Sequence, residues 1–215
     1  MEGIADSNRK AYDSVAEEYS QRRPILDNNN RKVIGIFIDF LDKRYANRDR
    51  NDMSILDVGI GSGLDLGIFN EQGYKTFGND ISEKMIEVAR KNSPDSVYYC
   101  GDFLDFHFGR QFSGLYAQAF IHLFPKHQVP SLFEKMFSIL EPQGLIHFST
   151  TIHEKPSEEF REKEDYEIKV KRFRKWWTLD ELNDFLKELP DTEVVHQYTV
   201  HDPLGKEGVN TIVSR

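Results

Sequence analysis

Three glycines at alternating positions follow an apolar segment of this 215-residue chain. Ile55 to Val58 predicts a buried strand, and Gly59, Gly61 and Gly63 come directly after it. Glycines in this place let the backbone approach a nucleotide-like ligand at the edge of a doubly wound sheet. Their spacing is G-x-G-x-G, whereas a helix N-terminus meets a diphosphate in the G-x-G-x-x-G register. The loop therefore predicts a ligand without a diphosphate, and the competing interpretation is a simple tight turn.

A second predicted strand, residues 74 to 79, ends in the carboxylate of Asp80. This strand begins within about twenty residues of the glycine loop, as in sites where an acidic residue accepts hydrogen bonds from a ribose. The carboxylate and the three glycines together therefore predict a cofactor site for a ribose-containing molecule.

One histidine follows the fourth predicted strand, where doubly wound folds bind their ligands. An imidazole titrates near neutral pH, so His122 could take a proton from an acceptor hydroxyl or amine. The alternative is a structural histidine. Cys100 is the only cysteine of the sequence, which excludes an intramolecular disulfide and a thiolate metal cluster. The aspartates are spread over several loops, so we expect no metal.

The segment from 153 to 177 combines a run of charges with aromatic residues. A solvated helix with ion pairs four residues apart would explain most of its charges. It would not explain the aromatic residues, which favour a lid over a substrate pocket. Its candidate substrate residues are Tyr166, Arg172, Arg174 and Trp176.

Helical and strand-like segments alternate along the chain. Two amphipathic helices, at about 7–44, precede the first strand, and the glycine loop opens a repeated strand–helix order. Segments 194–200 and 209–213 read as strands joined by a short turn. These patterns predict an α/β fold, with a doubly wound, mostly parallel sheet that finishes in an antiparallel hairpin. We expect a single domain, 1–215, because no linker composition divides the chain.

The composition of the chain excludes some classes of binding partner. The formal charge of −8 and the pI near 5.4 argue against a domain that binds nucleic acid through phosphate contacts. No apolar run is long enough for a membrane span, and no signal segment is evident, so we expect a cytoplasmic protein. A small-molecule substrate, and a monomer or homodimer, fit these properties.

Four segments together resemble the class I S-adenosylmethionine-dependent methyltransferases of the small-molecule type, a family with a seven-stranded sheet. They are the glycine motif, the Asp80 strand end, residues 101–103 and the first predicted helix. The resemblance implies S-adenosyl-L-methionine as cofactor and lid tyrosines that close over it. The implied cofactor residues are Tyr12, Tyr19, Asp57, Gly59, Gly61, Gly63, Asp80, Ile81, Met85, Asp102, Phe103 and Gln118.

Some of these residues have a structural alternative. Asp102 could cap a turn, and Phe103 could belong to the core. Tyr12 and Tyr19 lie on the apolar stripe of their helix, where aromatic residues usually pack. Ser113 stands where many members of the family have an aspartate.

The resemblance implies methyl transfer by in-line displacement to a nitrogen, oxygen or, less favoured, sulfur atom of a small molecule. Two other functions remain open at this point. A nicotinamide-dependent oxidoreductase would share the fold, but it would need the other glycine register. A non-catalytic cofactor-binding partner or scaffold domain would keep the same motifs, because a fold does not fix a function.

Overall fold

A computed structural model describes residues 3–22, 27–163, 166–201, 205 and 207–215. Glu164 and Asp165 of the charged segment, residues 23–26 between the two N-terminal helices and most of the turn after residue 201 lie outside the described residues. Among the described residues, no helix combines the length and the apolar character needed to cross a membrane.

The chain alternates strands and helices as the sequence predicts. Two helices come first, α1 (Ile4–Arg22) and α2 (Asp27–Arg44). The next elements are β1 (Ser54–Val58), α3 (Leu64–Glu71), β2 (Lys75–Asp80), α4 (Glu83–Asn92), β3 (Val97–Cys100) and β4 (Phe112–Ala117). The chain continues with α5 (Val129–Ser138), β5 (Leu140–Thr151), β6 (Ser157–Lys163), β7 (Val170–Trp176), α6 (Leu179–Glu188), β8 (Glu193–His201) and β9 (Glu207–Ser214).

Seven strands form one sheet in the order β3-β2-β1-β4-β5-β9-β8. Strands β1 to β5 run parallel, and β9 pairs antiparallel with both β5 and β8. The prediction of a mostly parallel seven-stranded sheet with a terminal antiparallel hairpin is therefore confirmed. This arrangement brings the carboxyl ends of β1 to β5 to one edge, where open sheets of this type bind ligands.

Both faces of the sheet are covered by helices. On one face, Phe37 of α2 and Phe69 of α3 pack with Ile55 of β1 and Tyr116 of β4. On the other face, α5 and α6 bury Phe133 and Phe185 in the larger of the core clusters. Neighbouring residues of β1 enter different clusters because successive side chains of a strand point to opposite faces.

Helix α1 does not cover a face of the sheet, although its amphipathic pattern predicts that it should. Its Ala11 and Val15 pack against Tyr166 and Val170, whereas Ala16 packs against α4. The helix therefore spans from α4 to the segment around β7, above the carboxyl edge of the sheet.

Strands β6 and β7 form a separate two-stranded sheet. A solvated helix over residues 153–177 is therefore wrong. Phe160 and Phe173 lie opposite each other across the hairpin, with ring centroids 5.7 Å apart. A parallel bridge from Ile152 to Trp177 joins the hairpin to the end of β5. The β6–β7 hairpin thus lies over the same edge as α1.

Candidate active site

The three glycines of the loop after β1 have left-handed backbones, with φ of +71° at Gly59, +52° at Gly61 and +74° at Gly63. Glycine adopts this conformation without the steric cost that a Cβ atom imposes. The space around them differs. A Cβ on Gly59 would lie 2.4 Å from the ring of Phe120, and one on Gly63 would lie 2.6 Å from the Cβ of Ala89. Gly59 and Gly63 are therefore required for packing.

Gly61 has a different neighbour. A Cβ at this position would lie 3.0 Å from the ring of Tyr19, which comes from α1. The middle glycine thus lies under the covering helix. The lack of a Cβ at Gly61 therefore keeps the loop clear of that ring.

Asp80 is buried at the carboxyl end of β2 and accepts backbone hydrogen bonds on both oxygens. Gly61 donates its N–H to Oδ2 at 3.1 Å, and Ser82 donates its N–H to Oδ1 at 2.9 Å. Burial raises the pKa of Asp80 to about 6, the two N–H donors oppose this rise, and the charge of Asp13 adds to it. The acid therefore fixes the glycine loop and presents a carboxylate whose protonation changes near neutral pH.

The loop after β3 brings a second acid to the edge. Asp102 accepts the N–H of Leu104 at 3.0 Å, which gives it a turn-forming role, and it also lines a cavity. Burial raises the pKa of Asp102, and the N–H donor opposes the rise. The buried ring of Phe103 packs edge-on against Phe120.

Polar side chains dock helix α1 over these loops. Ser82, the N-cap of α4, donates its hydroxyl to Asp13 at 2.7 Å. Asn8 donates to the carbonyl of Leu123 at 3.2 Å and accepts the N–H of Phe173 at 2.9 Å. Asn8 thus links α1 to the segment after β4 and to β7 with one buried amide.

Two arginines of β7 reach the same space. The guanidinium of Arg172 donates to the hydroxyl of Tyr12 at 2.5 Å and lies over that ring. Arg174 donates to the hydroxyl of Thr151, at the end of β5, at 3.3 Å. Positions 172 and 174 share one face of the strand because side chains alternate along it.

The segment after β4 supplies the remaining wall. Ala119 has a left-handed backbone with φ of +53°, and its N–H donates to Ser149 at 2.9 Å. A non-glycine residue in this conformation carries strain, which is common near functional sites. Gln118 accepts the hydroxyl of Tyr116 at 3.2 Å, and His122 is buried in a short helical turn.

These walls enclose a cavity of about 290 Å3 at the carboxyl edge of the sheet. The residues predicted from the sequence that line it are Tyr12, Tyr19, Asp57, Gly59, Gly61, Asp80, Ile81, Asp102, Phe103, Gln118, His122, Arg172 and Arg174. The described residues contain no group of three or more His, Cys, Asp or Glu side chains placed to bind a metal ion.

Comparison with known proteins agrees with this geometry. Residues 55–144 match a family model described as a methyltransferase domain. A dTDP-3-amino-3,4,6-trideoxy-alpha-D-glucopyranose N,N-dimethyltransferase of Streptomyces venezuelae is 42% identical over 62 residues, which cover 29% of this chain and 26% of the relative. A dTDP-3-amino-3,6-dideoxy-alpha-D-glucopyranose N,N-dimethyltransferase of Streptomyces fradiae is 30% identical over 95 residues, 43% of this chain and 37% of the relative.

A solved DhpI–SAM–HEP complex has the same fold over 100% of this chain and 99% of its own, with a TM-score of 0.69 and 16% sequence identity. The chain therefore matches a methyltransferase domain over residues 55–144 and shares its fold with a protein solved in complex with SAM. The matched segments span about a quarter and about a third of the two curated relatives. The predictions of the family and of its fold are confirmed.

Four of the residues predicted from the sequence do not line the cavity. Gly63 packs against Ala89, and Met85 is buried under α1. Tyr166 packs on the apolar side of α1 instead of facing a substrate. Trp176 stacks on His153 with ring centroids 4.5 Å apart. All four residues thus make packing contacts. The periodicity of a sequence does not distinguish residues that pack from residues that bind a ligand.

Several lining residues were missed by the sequence prediction. Asn79 is buried and donates to the carbonyls of Tyr99 and Gly101, which shapes the loop before Asp102. Asp65 accepts the amide of Asn30 from α2 at 2.8 Å. The sequence does carry a signal for these two residues, because Asn79 is a polar residue at a strand end and Asp65 is a polar residue in the first turn of a helix. The roles of Asn8 and Thr151 depend on distant contacts, so no local pattern marks them.

Proposed function

We propose that this methyltransferase transfers a methyl group from S-adenosylmethionine to a nitrogen or oxygen atom of a small-molecule acceptor by in-line displacement. The observation that carries the proposal is one cavity that joins the glycine loop and Asp80 to the side chains of β7 and the segment after β4. The two curated relatives, both named as N,N-dimethyltransferases of amino sugars, favour nitrogen as the atom methylated.

The acidic end of the cavity fits a cofactor that contains a ribose and an adenine. Asp80 would accept hydrogen bonds from the ribose hydroxyls, because its carboxylate is buried and already oriented by two backbone N–H groups. Asp102 and Phe103 would hold the adenine, and Gly61 leaves space beneath Tyr19. When bound, the cofactor supplies an electrophilic methyl group on a sulfonium.

The residues of the chain then have to orient the acceptor and exclude water. Apolar and aromatic side chains of the cavity wall, such as Phe120 and Phe124, exclude solvent from the reacting atoms. An amine that binds in its neutral form needs only this orientation. A hydroxyl acceptor needs a base, and His122 lies in the wall where it could take that proton.

We further propose that the chain acts as one domain, 1–215, whose lid consists of α1 and the β6–β7 hairpin. Contacts of α1 support this, since Asn8 and Tyr12 both bind residues of β7. The two amphipathic helices predicted at about 7–44 thus divide into a covering helix, α1, and a helix that packs on the sheet face, α2.

A calorimetric titration tests the cofactor half of the proposal. S-adenosylmethionine and S-adenosylhomocysteine should bind, and NAD(H) should not. Asp80→Asn should weaken binding about tenfold to a hundredfold, the range for a lost hydrogen bond to a charged group. Asp95→Asn, at an exposed aspartate, is the matched control.

A screen of small amines and alcohols for methyl transfer tests the catalytic half. If His122→Asn abolishes methyl transfer to an acceptor but leaves the Kd for that acceptor unchanged, His122 is the base. Cofactor binding without transfer to any member of a broad acceptor set would favour the non-catalytic alternative.

A further inference from the structure

The cavity divides into an acidic half and a basic half. Asp57 lies near the end of β1, Asp80 is the last residue of β2, Asp102 follows β3, and Asp65 lies in the first turn of α3. In the sheet order β3-β2-β1-β4-β5, these positions occupy one side of the carboxyl edge. Among the described residues that line the cavity, no carboxylate comes from β4, β5, β7 or the segments that follow them.

The other side of the edge carries the positive charge. Arg174 reaches the hydroxyl of Thr151 at the end of β5, and Arg172 reaches the hydroxyl of Tyr12 above it. His122 lies in the same half, after β4. Arg174 therefore lies beside the end of β5, and Arg172 lies beneath α1 at Tyr12, whose ring packs near Met85 of α4.

The two arginines have different neighbours across the hairpin. Arg172 lies directly opposite Arg161 across the hairpin, and only 8% of its surface is exposed. Arg174 lies opposite Glu159, which is half-exposed and within 3.9 Å of Arg161. Arg172 is thus a buried cation whose cross-strand neighbour is a second cation, and like charges directly opposite each other are destabilising.

We infer that the methyl acceptor carries an anionic group, a phosphate, phosphonate or carboxylate, which the guanidinium groups of Arg172 and Arg174 bind. A guanidinium presents five N–H donors in a planar fork that matches the oxygens of such groups. The bonds to Tyr12 and Thr151 orient the two forks. The inference depends on the proposed function, because it assigns the acceptor class of the same cavity.

The consequence is a fixed direction for the acceptor. Its anionic end lies against β7, and its reacting atom faces the acidic half, where the cofactor residues are. A carboxylate or phosphate placed at the other end would face three or four aspartates, and electrostatic repulsion opposes that orientation.

Binding of simple anions to the full chain, saturated with S-adenosylhomocysteine, tests the inference. Inorganic phosphate and methylphosphonate represent one source of the anion, acetate represents the other, and ethanolamine is a probe without an anion. The variants are Arg172→Gln and Arg174→Gln. Lys171→Gln removes the same charge from the opposite, exposed side of β7 and is the matched control.

We expect saturable binding of phosphate or acetate, weakened at least tenfold in Arg174→Gln and Arg172→Gln and changed less than twofold in Lys171→Gln. Arg174→Lys should retain part of the affinity. Absence of saturable anion binding, or equal loss in the control, overturns the inference. Failure of S-adenosylhomocysteine itself to bind would instead overturn the proposed function, so the two failures are distinguishable.

Discussion

Asp80 has a protonation state that should control cofactor affinity. Burial places its pKa at about 6, and hydroxyl donors of a ribose bind the carboxylate better than the carboxylic acid. Binding therefore has to release a proton at low pH. Affinity for S-adenosylhomocysteine should rise as the pH increases through about 6 and level off above it.

The slope below the transition should approach tenfold per pH unit, as expected for one proton released per ligand. Asp80→Asn should bind more weakly and without this step, as measured by calorimetry between pH 4.5 and 8. A step of the same size in the variant would assign the titration to another group.

The glycine loop separates a packing role from a ligand role. Gly63→Ala places a Cβ 2.6 Å from the Cβ of Ala89 and 2.9 Å from its backbone, which cannot move without displacing α4. Gly61→Ala meets only the ring of Tyr19, at 3.0 Å. Both substitutions carry similar left-handed strain, roughly 1–2 kcal/mol.

Gly63→Ala should therefore lower the free energy of unfolding more than Gly61→Ala, by about the cost of an overpacked core, roughly 1–3 kcal/mol, and its Tm should fall further. Gly61→Ala should cause the larger loss of cofactor affinity in protein that remains folded. Thermal unfolding and calorimetry of both variants measure the two effects. The reverse order would place the ligand beside Gly63.

At the scale of elements, α1 is attached by polar side chains more than by the sheet core. Asn8→Leu leaves the N–H of Phe173 and the carbonyl of Leu123 without their side-chain partner, and each loss costs about 1–3 kcal/mol. We expect faster proteolysis and faster hydrogen exchange in α1, with a small change in the Tm of the sheet.

Glu17→Ala, at an exposed position of the same helix, is the control for helix propensity. Cofactor should restore part of the protection in Asn8→Leu, because ligand binding stabilises the closed lid. Equal protection of α1 in the wild type and in Asn8→Leu would show that the helix is held by its apolar contacts alone.

The elements of the sheet were predictable because each has its own local signal. The apolar runs of β1 and β4 and the serine before α4 are signals of this kind, and Ser82 accepts the N–H of Met85 at 3.1 Å as the N-cap of α4. The β6–β7 hairpin was not predictable in this way. Its strands carry so many charges that the sequence reads as a helical surface, and its pairing follows from contacts with α1 and the end of β5.

The residues of the site also differ in how well the sequence predicted them. Residues that the fold places at a strand end, such as Asp80 and Asp102, were found from their positions. Tyr166 and Trp176 were chosen by composition alone, and the structure places them in packing contacts with α1 and His153. Arg172 and Arg174 were chosen in the same way and do reach the cavity, because alternation along β7 separates 172 and 174 from 171.

At the scale of the whole molecule, two buried groups with opposite linkage affect stability in acid. His147 is fully buried against Tyr116, and burial lowers its pKa to about 3. The folded state keeps this imidazole neutral, whereas the unfolded chain takes up a proton below its ordinary pKa of 6.5. Its contribution to stability therefore decreases as the pH falls from 6.5 towards 3.

Asp80 acts in the opposite direction in the unliganded protein. Its pKa is raised from 3.8 to about 6, so between these values the folded state holds a proton that the unfolded chain has released. Its contribution is fully present below pH 3.8 and decreases as the pH rises through 6. Between about pH 4 and pH 6, the changes in stability that the two groups cause therefore have opposite signs and nearly cancel.

Removing one group should expose the slope of the other. Asp80→Asn should lose up to roughly 1.4 kcal/mol of stability per pH unit, relative to wild type, as the pH falls from 6 to 4. The free energy of unfolding of His147→Gln should rise relative to wild type over the same pH range, whatever its value at pH 7.

Urea unfolding at several pH values measures both slopes. Comparing the slopes of the free energy of unfolding, and not its absolute values, removes the cost of the lost contacts. Since a ribose bound to Asp80 favours its carboxylate, saturating S-adenosylhomocysteine should shift the wild type towards the slope of Asp80→Asn. Parallel pH profiles for wild type and both variants would contradict these linkages.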